Sequence, residues 1–346
     1  MATLLRRTKS TKQLARQIQK VTDSPIEKVK TVRLEQTVST GSTVLDLEIS
    51  GGRKREGGLP GGIIVEIFGP SSAGKTSILA EICASIQANG GEVKFLDPEA
   101  RLDQEYARIY GVEIDKKNYY RPDTVTEVFD DHIYAWNPPR KDVINGIGTD
   151  SLAALSTNME MEGKDKMGMR RAKEFSEGLR KTSRIIRNNN WLIVCTNQVR
   201  QGDMGEVTPG GKGIPFYASL RIRVGQKAKV ERTTKIGKKE VKKVVGIQSL
   251  CQIRKSSVDD PFREALIFIL FSYGIDDIRG NLQYLKNMTG ATKYGDSDLG
   301  EFVSMDKMVR VIERNGLQKE LREKVIDLWH EIEDKFKTER RKKERF

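Results

Sequence analysis

The chain has 346 residues and a formal net charge of +13, with 61 Lys and Arg against 48 Asp and Glu; that length suits one large domain with appendages or two smaller ones. A balance this basic points to an acidic polymer as partner, usually nucleic acid, or to a solvated Lys-rich surface. Cys83, Cys195 and Cys251 form no CxxC pair and His132 and His330 lie far apart, which argues against a disulfide frame or zinc site and fits a reducing cytoplasm; no apolar stretch is long enough to span a membrane, and the basic N-terminus lacks the apolar core of a secretory signal.

Residues 9–21 predict a short helix. Leu14, Ile18 and Val21 recur at spacings of four and three among basic residues, and Ser24-Pro25 stops it. Its one apolar stripe must dock, on its own core or on a neighbouring subunit. Residues 31–38 read as a short strand, and 51–62, "GGRKREGGLPGG", as a flexible turn region. From Ile63 the pattern alternates: a buried strand over 63–68, a helix over 77–89 closed by Gly90-Gly91, and a strand over 92–97. Residues 142–150 and 191–198 are two further strand candidates, with a helical stretch over 170–187 between them. Such alternation predicts an α/β fold with a mainly parallel central sheet covered on both faces. From Ser219 three strands follow one another, with Lys235-Ile236-Gly237-Lys238 turning a basic hairpin. The remainder reads as helical. Met308, Val311 and Ile312 form one stripe, Val325, Leu328, Trp329 and Ile332 another, and both are expected to pack on the core. The chain ends in a charged tail, "KFKTERRKKERF".

Gly69-Pro70-Ser71-Ser72-Ala73-Gly74-Lys75-Thr76, followed by Ser77, fits G-x-x-x-x-G-K-[ST] between a buried strand and a helix. The glycines allow a tight loop of inward N–H groups at a helix N-terminus. Lys75 can reach the β- and γ-phosphates of ATP, and the Thr76 hydroxyl can bind Mg²⁺. A magnesium site also needs a carboxylate at a nearby strand end. Asp150 is the candidate, although Asn145, Gly146, Gly148 and Thr149 interrupt the apolar run before it, and Asp150 could instead cap the next helix. Glu99 lies just beyond a strand next in sequence to the loop's helix and can face the γ-phosphate; spacing alone favours an exposed loop carboxylate.

"STGSTVLDL", "FLDPEARLDQEYARIYGVEID", "TDSLAALS", "TNQVR", "TPGGKGIPFYASLRIRV" and "DDPFREALIFILFSYGID", with the phosphate loop among them, resemble the RecA family of recombinases over roughly residues 37–275. The divergent ends imply a phage-encoded, UvsX-like member. The resemblance implies a RecA-type core (37–275), an N-terminal oligomerisation segment (1–36) and a small helical C-terminal region with a basic tail (276–346). Glu99 falls at the family's water-activating glutamate and Gln198 at its γ-phosphate sensor. Tyr106 falls where an aromatic stacks on adenine, and Asp103 where a carboxylate meets the base edge. Lys255 matches a lysine that reaches the neighbour's ATP; Ser257 stands where a second lysine is usual.

Two stretches, 160–169 and 200–214, correspond to the family's DNA loops. Lys164, Lys166, Arg170, Arg171, Arg200 and Lys212 can pair with phosphates, Met167 can wedge between bases, and Gly210-Gly211 can bring backbone N–H groups close to DNA. Ser176 and Arg180 fall where the family's helix touches the strand. Neither loop holds an aromatic residue, so phosphate contacts should govern binding. The reading is an ATP- and Mg²⁺-dependent recombinase that forms filaments on single-stranded DNA, pairs it with homologous duplex DNA and works with a loader or single-strand-binding protein. A ring-forming helicase motor, or a partner-recruiting protein with a dead nucleotide site, are the alternatives.

Overall fold

The computed structural model describes residues 34–161, 169–202 and 205–340. The chain divides into two units, Met1–Thr31 and Val32–Phe346. The helix expected over 9–21, the DNA-loop residues Lys164, Lys166 and Met167, and the tail 341–346 lie outside the described residues.

A nine-stranded sheet organises the second unit. Its strands in chain order are β1 (Ile63–Gly69), β2 (Val93–Leu96), β3 (Tyr119–Tyr120), β4 (Gly146–Thr149), β5 (Leu192–Gln198), β6 (Leu220–Ile236), β7 (Lys239–Ser256), β8 (Glu264–Leu270) and β9 (Gly274–Ile275). Across the sheet they run β9-β8-β7-β6-β1-β5-β4-β2-β3. The first six in sequence are parallel, and β7, β8 and β9 extend the β6 edge antiparallel. This is the expected mainly parallel sheet.

Both faces are covered. Along β1, Ile63, Val65 and Ile67 enter one hydrophobic cluster and Ile64 the other; along β5, Leu192 and Val194 face the first, Ile193 and Cys195 the second. The period of two is what a sheet buried on both sides requires. Helices α1 (Thr43–Ser50) and α2 (Lys75–Ala88) fill the first face, and α4 (Met169–Asn188) lies on the second; α3 (Gln104–Ile109) precedes β3, and α5 (Gly213–Tyr217) precedes β6. Then follow α6 (Asp277–Thr289), α7 (Met305–Asn315) and α8 (Gln318–Phe336). Met308, Val309, Ile312, Leu321, Val325, Ile326 and Trp329 join the first cluster, so the C-terminal helices pack on the core as expected. The stripes are rotated slightly from the sequence reading. Val309 and Ile326 are buried, whereas Val311, Leu328 and Ile332 are only half-buried.

Three local expectations change. Of the strand expected over 31–38, the described part forms only Thr37–Val38, paired with Leu59–Pro60. The turn region 51–62 is tied down: Ser50 Oγ donates to Gly58 O, a Cβ on Gly57 would stand 2.0 Å from Asp46 O, and Gly62 N donates to Trp191 O at 2.8 Å. The strand expected over 142–150 is confined to Gly146–Thr149. Its two glycines lie under α2. A Cβ on Gly146 would come 2.3 Å from Ile86 Cδ1, and one on Gly148 2.8 Å from Cys83 Sγ.

Candidate nucleotide site and nucleic-acid face

The loop between β1 and α2 folds tightly because two of its glycines admit no side chain. Gly69 has φ 155°, and a Cβ there would meet Val224 O at 2.0 Å; Gly74 has φ 95°, and a Cβ there would meet Ile269 Cδ1 at 2.2 Å. Ser249 on β7 donates its Oγ to Ala73 O at 2.8 Å. The antiparallel edge of the sheet thus fixes the loop from behind.

In front of the loop lies a cavity of about 500 Å³ lined by Ser71, Ser72, Gly74, Lys75, Thr76, Ser77, Glu99, Tyr106, Asp150 and Gln198, together with residues of β6–β8. Lys75 is buried, and its Nζ donates to Gly69 O at 3.0 Å and Pro70 O at 2.7 Å. Burial lowers the Lys75 pKa, opposed by the Asp150 and Glu99 charges. Thr76 Oγ1 donates to Asp150 Oδ2 at 2.7 Å, and Thr196 Oγ1 donates to the other carboxylate oxygen. Burial raises the Asp150 pKa against those two hydrogen bonds. The helix-cap role considered for Asp150 belongs to Ser151, whose Oγ accepts from Ala153 N. Asp150 and Thr76 instead present two hard oxygen donors side by side, a set that suits Mg²⁺. Among the described residues no group of three or more His, Cys, Asp or Glu gathers as a metal site.

Glu99 faces the cavity. Its Oε2 pairs with Arg101 at 2.6 Å, and its Oε1 accepts from Gln198 Nε2 at 3.5 Å. Tyr106 also lines the cavity; it is joined through Tyr110 Oη to Ser77 Oγ, each step 2.9 Å. Asp103 caps α3 by accepting from Tyr106 N at 2.7 Å, and it does not line the cavity. Arg101, Tyr110 and Ser151 are site residues that sequence reading missed. Only Tyr110 left a trace, one helical turn from Tyr106.

Strand β5 leads from the cavity toward the candidate nucleic-acid face. Asn197 is buried; its Nδ2 donates to Glu66 Oε1 and to Pro209 O, each at 3.0 Å. Glu66, fully buried, accepts from Arg221 Nε at 2.6 Å. Pro209 precedes Gly210 (φ 94°) and Gly211 (φ 70°), which serve packing as well as any contact with DNA: a Cβ on Gly211 would meet Ala172 Cβ of α4 at 2.7 Å, and one on Gly213 would meet Ser176 Oγ at 2.4 Å. Ser176 Oγ donates to Ala172 O and so faces this packing. Arg180 and Arg200 are exposed, as is Lys212 before α5. Arg170 is exposed and pairs with Glu174, while half-buried Arg171 pairs with Glu160. Lys255 donates to Pro215 O and Phe216 O, both at 2.8 Å, at the end of α5; Ser257 Oγ donates to Ser219 O.

Residues 8–276 match the RecA N-terminal domain family. The match starts well ahead of Thr37, where the sequence reading placed it. The RecA protein of Acinetobacter baylyi is 35% identical over 256 residues, covering 72% of this chain and 68% of its own. That of Deinococcus radiodurans is 32% identical over 308 residues, 84% of this chain and 79% of its own. That of Ruminococcus albus is 33% identical over 279 residues, 77% and 66% respectively.

Proposed function

We propose a residue-level mechanism for a chain that belongs to the RecA family, and so is an ATP-dependent DNA recombinase that uses Mg²⁺, binds single-stranded and duplex DNA and forms filaments. One observation carries it: Lys75, Thr76, Glu99, Asp150 and Gln198, from four separate segments, converge on one cavity in front of the glycine loop. The backbone N–H groups of residues 69–76 and Lys75 hold the phosphates. Thr76 and Asp150 are the residues to hold Mg²⁺, which supplies charge neutralisation at the phosphate oxygens. Tyr106 offers a ring to the base. Glu99 accepts the proton of the attacking water, and its pairing with Arg101 keeps the carboxylate oriented at the cavity edge. Gln198 reads the γ-phosphate, and Asn197 beside it holds Pro209 at the base of the second DNA loop.

Arg170, Arg171, Arg180, Arg200 and Lys212 supply the cations for DNA, and Lys255 is carried toward a neighbouring subunit's nucleotide. In the same reading, residues 1–36 mediate oligomerisation, 37–275 form the catalytic core and 276–346 a helical appendage with a basic tail. The chain beyond the family match supports a phage-encoded member, and three buried free cysteines support a reducing cytoplasm, here that of its host. The test is Glu99→Gln. ATP binding should persist while DNA-stimulated turnover falls by about 10² or more, because an amide cannot take the proton. Unchanged turnover would remove Glu99 from the chemistry.

A further inference from the structure

The ribbon formed by β6 and β7 runs well past the core. From Lys227 to Lys243 most of its residues are exposed, and Gly237 (φ 61°) turns it. Two residues of its base, Gln226 and Lys229, line the nucleotide cavity together with Val244, Ile247, Ile269 and Phe271. Strand alternation does not place residues three apart on one face. The ladder explains the exception. Gln226 pairs with Ser249 and Ala228 with the next residue back, Gln248, so Lys227 has no partner. That extra residue is a β-bulge, a device that re-aims the side chains following it. Nearby, the ribbon's acids are already engaged: Glu231 by Lys242 and Glu240 by Lys235.

We propose that the bulge at Lys227 turns Lys229 into the cavity as a second nucleotide-binding cation of this chain, contacting the phosphates opposite Lys75. Resting on the nucleotide-site reading above, this inference gives the ribbon a direct contact with the bound nucleotide from within the same subunit. Lys229 pairs with Ile247 in the ladder, and Val244, Ile269 and Phe271 line the cavity beside it, so among the described residues that wall is mainly apolar, whereas a polyphosphate brings several negative oxygens into the same space.

The test is a fluorescence titration of N-methylanthraniloyl-ATP with Mg²⁺, at low and high salt, on the full chain. Lys229→Ala should weaken binding roughly three- to fivefold at low salt, the scale of an exposed charge pair, and should reduce the salt dependence. Lys229→Arg should restore most of the affinity. Lys227→Ala removes the same charge from a residue that does not line the cavity and should bind as the wild type does. Wild-type affinity in Lys229→Ala, or an equal loss in Lys227→Ala, overturns the inference while leaving the nucleotide site intact. Retained binding in Lys75→Ala overturns the site reading, and this inference with it.

Discussion

Replacing Arg221 by Ala should destabilise the fold out of proportion to an ordinary polar substitution, because Glu66 sits in the middle of β1 with 0% of its side chain exposed and Arg221 is its counter-ion. Removing one partner of a buried ion pair leaves an uncompensated charge, at a cost of about 3–5 kcal/mol. The Arg221 guanidinium also lies 4.4 Å from the centroid of the Phe68 ring, a contact worth about 0.5–2 kcal/mol. These two contributions separate in a double-mutant cycle. Glu66→Gln removes the charge but keeps an acceptor for Asn197 Nδ2, so adding it to Arg221→Ala should recover most of the loss. The ring contact stays lost. Urea unfolding of the four nucleotide-free proteins, followed by circular dichroism, reads the midpoints. If the double variant is no more stable than Arg221→Ala alone, the buried charge is not the cause.

Two further outcomes follow from packing and burial. Gly148→Ala places a Cβ 2.8 Å from Cys83 Sγ and 3.1 Å from Leu79 Cδ1; it should cost about 1–3 kcal/mol in urea unfolding, and a neutral result would mean that α2 has slack over β4. Burial, with the Asp277 charge adding to it, raises the Glu81 carboxyl from 4.5 to about 7 against a hydrogen bond from Ile275 N. The folded state therefore holds a proton that the unfolded state releases, so stability is fullest below about pH 4.5 for this group and is lost as pH rises to 7. Glu81→Gln should flatten the decline of the urea midpoint between pH 5 and 8, and an unchanged slope would assign that decline to other carboxyls.

What could be read from the sequence was whatever local chemistry dictates. The loop 69–76 declared itself because no other use explains two glycines, a lysine and a threonine at that spacing between an apolar run and a helix. Strand β4 was harder. Gly146 and Gly148 lower its apolar count, yet they are there because α2 packs directly on it, a fact that belongs to two segments sixty residues apart. Asp103 has a local role that the sequence alone does not single out: three residues before Tyr106, it caps α3 through Tyr106 N, while its base-edge role comes from the resemblance alone. The bulge at Lys227 was invisible, since a bulge exists only relative to the partner strand. Gln226 and Lys229, three residues apart, acquire a common face only once β7 sets the register.

The end of β5 shows how the nucleotide cavity and the proposed DNA face can share one strand. Thr196 and Gln198 share one face, toward Asp150 and Glu99 of the nucleotide site, while Asn197 between them points to the opposite face, toward Glu66 and Pro209. Alternation makes this unavoidable: successive residues of one strand serve opposite faces. A shift of Gln198 toward a bound phosphate therefore moves the backbone that carries Asn197, whose own amide oxygen already accepts from Gln198 N at 3.0 Å. Beyond Pro209 there is little slack to absorb the movement. Gly211 and Gly213 touch α4 so closely that neither could carry a methyl group, and close-packed contacts pass a displacement on instead of damping it. The proposed second DNA loop is thus seated on α4, the helix that bears Arg170, Arg171 and Arg180, and Asn197 ties it to the strand end that carries Gln198 into the nucleotide cavity. Shortening that tie would alter how DNA binding responds to nucleotide before it altered either site alone.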